Sequence, residues 1–214
     1  MDEPIPQRIA VVHDWLIDFA GAERVLAGIL RCFPQADLFA LVDHMPDADR
    51  AALGGRRAAT TFLQNMPGTA SHLKYYLPLM PLAIEQIDVT GYDLIISSSH
   101  SVAKGVLAPP DALHISYVHS PMRYAWDMQF VYLSEEHMDR GIRGIAARCL
   151  LHRLRIWDHR SAAGVDRFIA NSAFIARRIL KAYRRSAAVI HPPVDTMGFR
   201  PGATREDFYV TVSR

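Results

Sequence analysis

Short, mainly apolar runs recur between stretches with helical spacing, and this alternation constrains the fold more than any other feature of the chain. IAVVHDW (9–15) reads as a buried strand, and ERVLAGILRCF (23–33) as a helix with its apolar residues on one face. DLFALVD (37–43), DLIISSS (93–99), HISYVHS (114–120), RFIANS (167–172) and AAVIHPPVD (187–195) read as further strands, and FYVTVSR (208–214) as a last one. Helices are expected near 78–87, across roughly 134–163 and over SAFIARRILKAY (172–183), the last capped by Asn171 or Ser172. The stretch 44–70, with Gly54-Gly55 and Pro67-Gly68, reads as loop. Strands apolar on both faces need helices on both sides. The pattern therefore predicts an α/β, Rossmann-like, doubly wound and mainly parallel sheet.

Ligands of such sheets collect beyond the carboxyl ends of the strands. Polar residues recur there: His13-Asp14, Ser97-Ser98-Ser99-His100, His119-Ser120, Asn171-Ser172 and His191. Each of these alone is explained as a helix cap. Their recurrence at successive strand ends favours one shared cleft. Gly21 opens a helix, where the absence of a Cβ and the helix N-terminus suit an approaching phosphate, although a lone glycine is more often a turn. His119 closes a buried strand two residues before Pro121. It is a candidate proton donor, hydroxyl-binding group or metal ligand, against the plainer reading of a packed histidine bonded to a carbonyl.

Several chemistries are disfavoured. The chain has neither G-x-G-x-x-G nor G-x-x-x-x-G-K-[ST], which argues against a dinucleotide oxidoreductase and a P-loop enzyme. It has no G-x-S-x-G elbow, which argues against a serine hydrolase. The ten histidines show no close ligand spacing, so no metal site is expected. A formal charge of +2 over 214 residues gives no reason to expect nucleic acid as a partner. The start, MDEPIPQR, lacks the basic and apolar parts of a signal peptide, and two cysteines, Cys32 and Cys149, read as buried free thiols. Both point to the cytoplasm. DRGIRGIAARCLLHRLRIWDHR (139–160) reads as a core-packed helix burying Ile142, Ile145, Cys149, Leu150 and Trp157, with a solvated basic face. The alternative is a helix that docks on an anionic membrane through Arg140, Arg143, Arg148 and Arg155.

HDWL, GAERV, DLIISSSHSVAKG, YVHSPMRYAWD, FIANSAFIARRI, VIHPPVD and FYVTVSR follow one another in this order from about Arg8 to Arg214. Together they resemble the N-terminal half of a glycosyltransferase of family four with the GT-B fold. In its HDWL and HSPMRYAWD variants the chain resembles bacterial enzymes of exopolysaccharide or O-antigen synthesis, often mannosyltransferases that use GDP-mannose. The resemblance implies a retaining, metal-independent transfer without a cofactor, from a nucleotide-sugar donor to an acceptor such as a polyprenyl-diphosphate-linked saccharide. It assigns His119 as the catalytic histidine that contacts the transferred sugar, and Gly21 and Arg214 as partners of the donor diphosphate. His13, Asp14, Ser99, His100, Lys104 and Arg123 are the acceptor-binding candidates.

The resemblance also implies an organisation. Residues 1–200 would form the acceptor-binding domain, and 201–214 a linker and the first strand of a donor-binding domain. The family's E-x7-E motif and the lysine after the arginine do not occur within these 214 residues. The chain alone is therefore expected to be inactive. Ala20 stands where many relatives carry a second glycine, which is harmless unless that residue needs a positive φ. The rival reading is a non-catalytic module that docks on lipid or on a partner. Peripheral contact with the inner face of the cytoplasmic membrane is compatible with both.

Overall fold

A computed structural model describes residues 8–196, 198, 207–209 and 211. Its elements run β1 (Ile9–His13), α1 (Gly21–Cys32), β2 (Asp37–Ala40), α2 (Asp47–Arg50), β3 (Ala59–Thr60), α3 (Thr69–His72) and α4 (Met80–Glu85). They continue as β4 (Leu94–Ser99), β5 (Leu113–Val118), α5 (Gln129–Glu135), α6 (Gly141–Ser161), β6 (Arg167–Ala170), α7 (Ala173–Tyr183) and β7 (Ala187–Val189). The described residues form a seven-stranded sheet in the order β3-β2-β1-β4-β5-β6-β7, every pair parallel. This is the doubly wound α/β fold that the alternation predicts.

The pleat of β1 explains why its residues are apolar throughout. Ala10 and Val12 pack on one side with Ile84, Ile95 and Met122, whereas Ile9 and Val11 pack on the other with Leu26, Leu30 and Leu38. Helix α1 turns Val25, Leu26, Ala27 and Leu30 inward. Gly105 is fixed by a close approach: a Cβ there would collide with the ring of Trp157.

Four expectations need correction. The loop-rich stretch 44–70 holds α2, α3 and the two-residue edge strand β3, which pairs with Phe39 and Ala40 of β2. The long helical region expected over 134–163 starts earlier and holds two helices, α5 and α6, separated by a turn in which His137 takes φ 53°. Helix α6 buries Gly144, Leu151, Leu154 and Asp158, while Ile142, Ile145 and Ile156 are 87%, 62% and 56% exposed. Of the expected face, Leu150 and Trp157 are half-buried against the core, whereas the charged Asp158 takes a core position that apolar periodicity does not mark. Both cysteines are exposed: Cys32 ends α1, and Cys149 lies on the outward face of α6. The final strand expected over 208–214 falls largely outside the described residues, as does Arg214.

Candidate functional site

The strand order reverses direction between β1 and β4, and a crevice opens beyond the carboxyl ends of strands at such a switch point. There the structure brings together the end of β1, the N-terminus of α1 and the ends of β4 and β5. A cavity of about 800 Å³ occupies the crevice. Its walls include Trp15, Ala20, Ala22, Glu23, His100, His119, Arg123, Tyr124, Phe174 and Arg178.

Asp14 follows β1 and is fully buried. Its Oδ2 accepts the N–H groups of His100 and Ser101, and its Oδ1 those of Val102 and Ala103, at 2.6–2.9 Å. Burial alone would raise its pKa. The His100 ring, these N–H bonds and His13 outweigh that and hold the carboxyl below its usual range. Asp14 therefore fastens the turn after β4 and does not itself reach the cavity. His100 sits on that turn, edge-on to Trp15 with ring centroids 4.4 Å apart, and its Nδ1 lies 3.0 Å from Asp14 Oδ2 outside hydrogen-bonding alignment.

His119 is held from three sides. Its N–H donates to Ser99 O at 2.8 Å, its carbonyl accepts Asn171 Nδ2 at 3.0 Å, and its Nε2 lies 2.9 Å from Ser98 Oγ. Burial, with His13 and His100 nearby, pushes its pKa down to about 3. At neutral pH the imidazole is uncharged. That removes the proton-donor role and leaves hydrogen bonding to a neutral or polar group. His13 is fully buried behind it, with Nδ1 3.1 Å from Ser98 Oγ and Nε2 3.4 Å from Glu23 Oε1.

The N-terminus of α1 presents the remaining features. Ala20, the N-cap, has φ −122°, so no glycine is required there. A Cβ on Gly21 would meet nothing within 4 Å, so the fold does not demand that glycine either. Glu23 reaches back to accept Ala20 N–H at 2.8 Å, the carboxylate half of a capping box. Arg178 is tied to Asp127 and donates to Ser120 Oγ at 2.8 Å, whereas the exposed Arg123 has no side-chain partner among the described residues and leaves a positive charge at the cavity wall.

The family model for Glycosyltransferase Family 4 matches residues 19–197. The chain belongs to glycosyltransferase family 4. No curated protein matches it. A family 4 domain supports a role in glycosyl transfer, with binding of a nucleotide-sugar donor and an acceptor in general terms.

In this family 4 domain, His100, His119 and Arg123 line the crevice, Gly21 lies in sequence between the lining residues Ala20 and Ala22 but is not itself part of the wall, and His13 and Asp14 lie directly behind that wall. Ser99 and Lys104 do not line the cavity. Ser99 Oγ accepts the Lys104 N–H at 3.4 Å, and the buried Lys104 ammonium is paired with Asp158 and donates to Ser161 Oγ at 3.0 Å. Asp158 also accepts Trp126 Nε1 at 2.7 Å and Tyr183 OH at 3.0 Å. Sequence reasoning missed Glu23 as part of the site and chose Ser99 over Ser98 from the serine run that ends β4. The spacing Ala20-x-x-Glu23 carried a signal for the first, and the strand's alternation could have set Ser98 apart from Ser99. Among the described residues no group of three or more His, Cys, Asp or Glu side chains is arranged to hold a metal ion.

Proposed function

We propose that this domain holds the acceptor in a retaining, metal-independent transfer of a hexose, mannose from GDP-mannose, to a lipid-linked or polysaccharide acceptor. A polyprenyl-diphosphate-linked saccharide is the acceptor that fits best. The observation that carries the reading is the convergence of a neutral His119, the α1 N-terminus and Arg123 on one cavity at the switch point. Sugar hydroxyls suit an uncharged imidazole. A diphosphate suits the free N–H groups and dipole of a helix start whose first residue has no Cβ. His119 contacts the transferred sugar, and Gly21 lets the backbone approach the diphosphate. Turnover requires a donor-binding half that carries E-x7-E.

The test is to titrate the isotopically labelled chain with GDP-mannose, other nucleotide sugars and lipid-linked or soluble saccharides, mapping NMR shifts. Saturable shifts at Ala20–Glu23, His100, His119 and Arg123 support the reading. Shifts confined elsewhere, or none with any sugar, overturn it.

A specific observation also favours peripheral contact with the inner face of the cytoplasmic membrane. The exposed stripe Ile142, Ile145 and Ile156 on α6 is flanked by Arg140, Arg143 and Arg148, and Phe130 of α5 is 74% exposed. Apolar side chains among arginines match an anionic lipid surface. Salt-sensitive co-sedimentation with anionic vesicles, lost in Ile142→Asp/Ile145→Asp, is expected; sedimentation unaffected by those changes contradicts it. The same assay addresses the rival, non-catalytic docking module, which would bind vesicles and no sugar. No helix among the described residues is long and apolar enough to cross a membrane.

A further inference from the structure

A continuous line of polar atoms runs from Glu23 on α1 to His119 at the end of β5. Glu23 Oε1 is 3.4 Å from His13 Nε2, His13 Nδ1 is 3.1 Å from Ser98 Oγ, and Ser98 Oγ is 2.9 Å from His119 Nε2. His13 and Ser98 are fully buried, so the middle of the line is closed to bulk solvent. A neutral imidazole has one N–H and one lone pair, and a hydroxyl has one proton to give. The line therefore has a direction, and one end dictates the other.

Glu23 sets that direction. Burial works to raise its pKa, but His13 and the Ala20 N–H outweigh it, and the net shift is downward. A carboxylate only accepts, so His13 Nε2 carries the proton. With one proton on each ring of the line, the second nitrogen of His13 is bare. His13 Nδ1 is then a lone pair that accepts the Ser98 O–H. Ser98 Oγ in turn accepts His119 Nε2–H. What remains is His119 Nδ1, a lone pair with no partner among the described residues, on a ring that lines the cavity.

We propose that Glu23, His13 and Ser98 are positioning residues that lock His119 in its Nε2–H tautomer, so that it offers Nδ1 to the ligand as a hydrogen-bond acceptor. The group bound at that point is a donor, a hydroxyl, and not a phosphate or carboxylate oxygen. The identification with a sugar hydroxyl rests on the proposed transfer function. The tautomer does not, and it is read with no ligand present.

The experiment is nitrogen-15 NMR of the histidine rings of this chain at neutral pH, which distinguishes protonated from bare ring nitrogens. The His119 signals are assigned by their loss in His119→Gln. The wild type is expected to carry the proton on Nε2 and to leave Nδ1 bare; a proton on Nδ1, or on both nitrogens, overturns the proposal.

Glu23→Gln tests the coupling. The Ala20 N–H claims the carboxamide oxygen, as it now claims Oε2 at 2.8 Å, and this turns the NH₂ group toward His13 Nε2. A donor there reverses every bond, and the His119 proton moves to Nδ1. A reversed His13 beside an unchanged His119 overturns the coupling. In a Ser98→Ala background the line is cut, and Glu23→Gln should leave His119 as it was; movement there places the coupling on another route and also overturns the proposal. The wild-type spectrum decides the polarity even where a variant does not fold.

Methyl α-mannopyranoside and inorganic phosphate are the ligand probes. Perturbation of Nδ1 by the sugar and not by phosphate supports the hydroxyl assignment, and the opposite result overturns it. The expected tautomer with no response to any sugar sinks the transfer reading while leaving the relay standing.

Discussion

Two buried polar constellations stand close together at the carboxyl edge of the sheet, and they differ in whether their hydrogen-bonding capacity is used up. In the first, the Lys104 ammonium meets Asp158 and Ser161, and Asp158 also receives Trp126 and Tyr183. Every group faces protein. Asp14 is of the same kind, with both oxygens taken by the turn after β4. The second, Glu23–His13–Ser98–His119, has an open end at His119 Nδ1. Burial alone does not mark a functional polar residue. A saturated network holds segments together, here the turn at 103–105, the loop at Trp126, α6 and α7, whereas a network with one valence left over addresses a ligand.

Breaking the closed network should produce the largest effect. Asp158→Ala strands the Lys104 ammonium in a site where that side chain is 1% exposed, and is expected to cost about 3–5 kcal/mol in urea unfolding. A loss under about 1 kcal/mol would mean that the pair is not the fastening described. Asp14→Ala comes next. Four N–H groups lose their acceptor, and water entering the space replaces part of it, so about 2–3 kcal/mol is expected.

Two rings give stability a pH dependence: His119 of the open network, and His114, which contacts Ser97 and the Gly164 carbonyl and belongs to neither constellation. Burial lowers His114 to about 4 and, with His13 and His100, His119 to about 3, against an ordinary value of 6.5. Neither ring affects stability above pH 6.5, where both folded and unfolded forms are neutral. Below it the unfolded chain takes up protons that the folded chain refuses, so stability falls as pH drops toward 4 and then 3. Asn in place of His119 should make that slope shallower in urea titrations at successive pH values. An unchanged slope would show that His119 is not buried as a neutral ring.

The smallest effect on the fold is expected at Gly21. A Cβ there finds open space, so Gly21→Ala should leave stability within about 0.5 kcal/mol while weakening any ligand whose phosphate needs the bare backbone. Equal affinity for GDP-mannose in both forms would remove Gly21 from the site.

The layout of the sheet was legible because a parallel strand buried on both faces has to be apolar, and β1, β2, β4, β5 and β6 carry that signature; β7, at one edge and largely exposed, was read from its apolar composition. The seventh, β3, is two exposed residues on the sheet edge, and nothing in Ala59-Thr60 distinguishes it from loop. His119 and Gly21 were legible as strand-end and helix-start residues. Lys104 was misjudged because its partner lies 54 residues away, and only the fold brings the two together. The same partner misled the reading of α6, where a buried aspartate breaks the apolar periodicity. Glu23 was overlooked because a helix-start glutamate normally has a cap to make, and here one oxygen makes it while the other turns to His13.

The measurement that bears most directly on the account is the affinity of the chain for methyl α-mannopyranoside in wild type and His119→Ala, with unfolding of both checked alongside. A hydrogen bond into this cavity is worth about 1–3 kcal/mol, so the account predicts binding about ten-fold weaker or more with little change in stability. Equal affinity in the two proteins, with both folded, would contradict it.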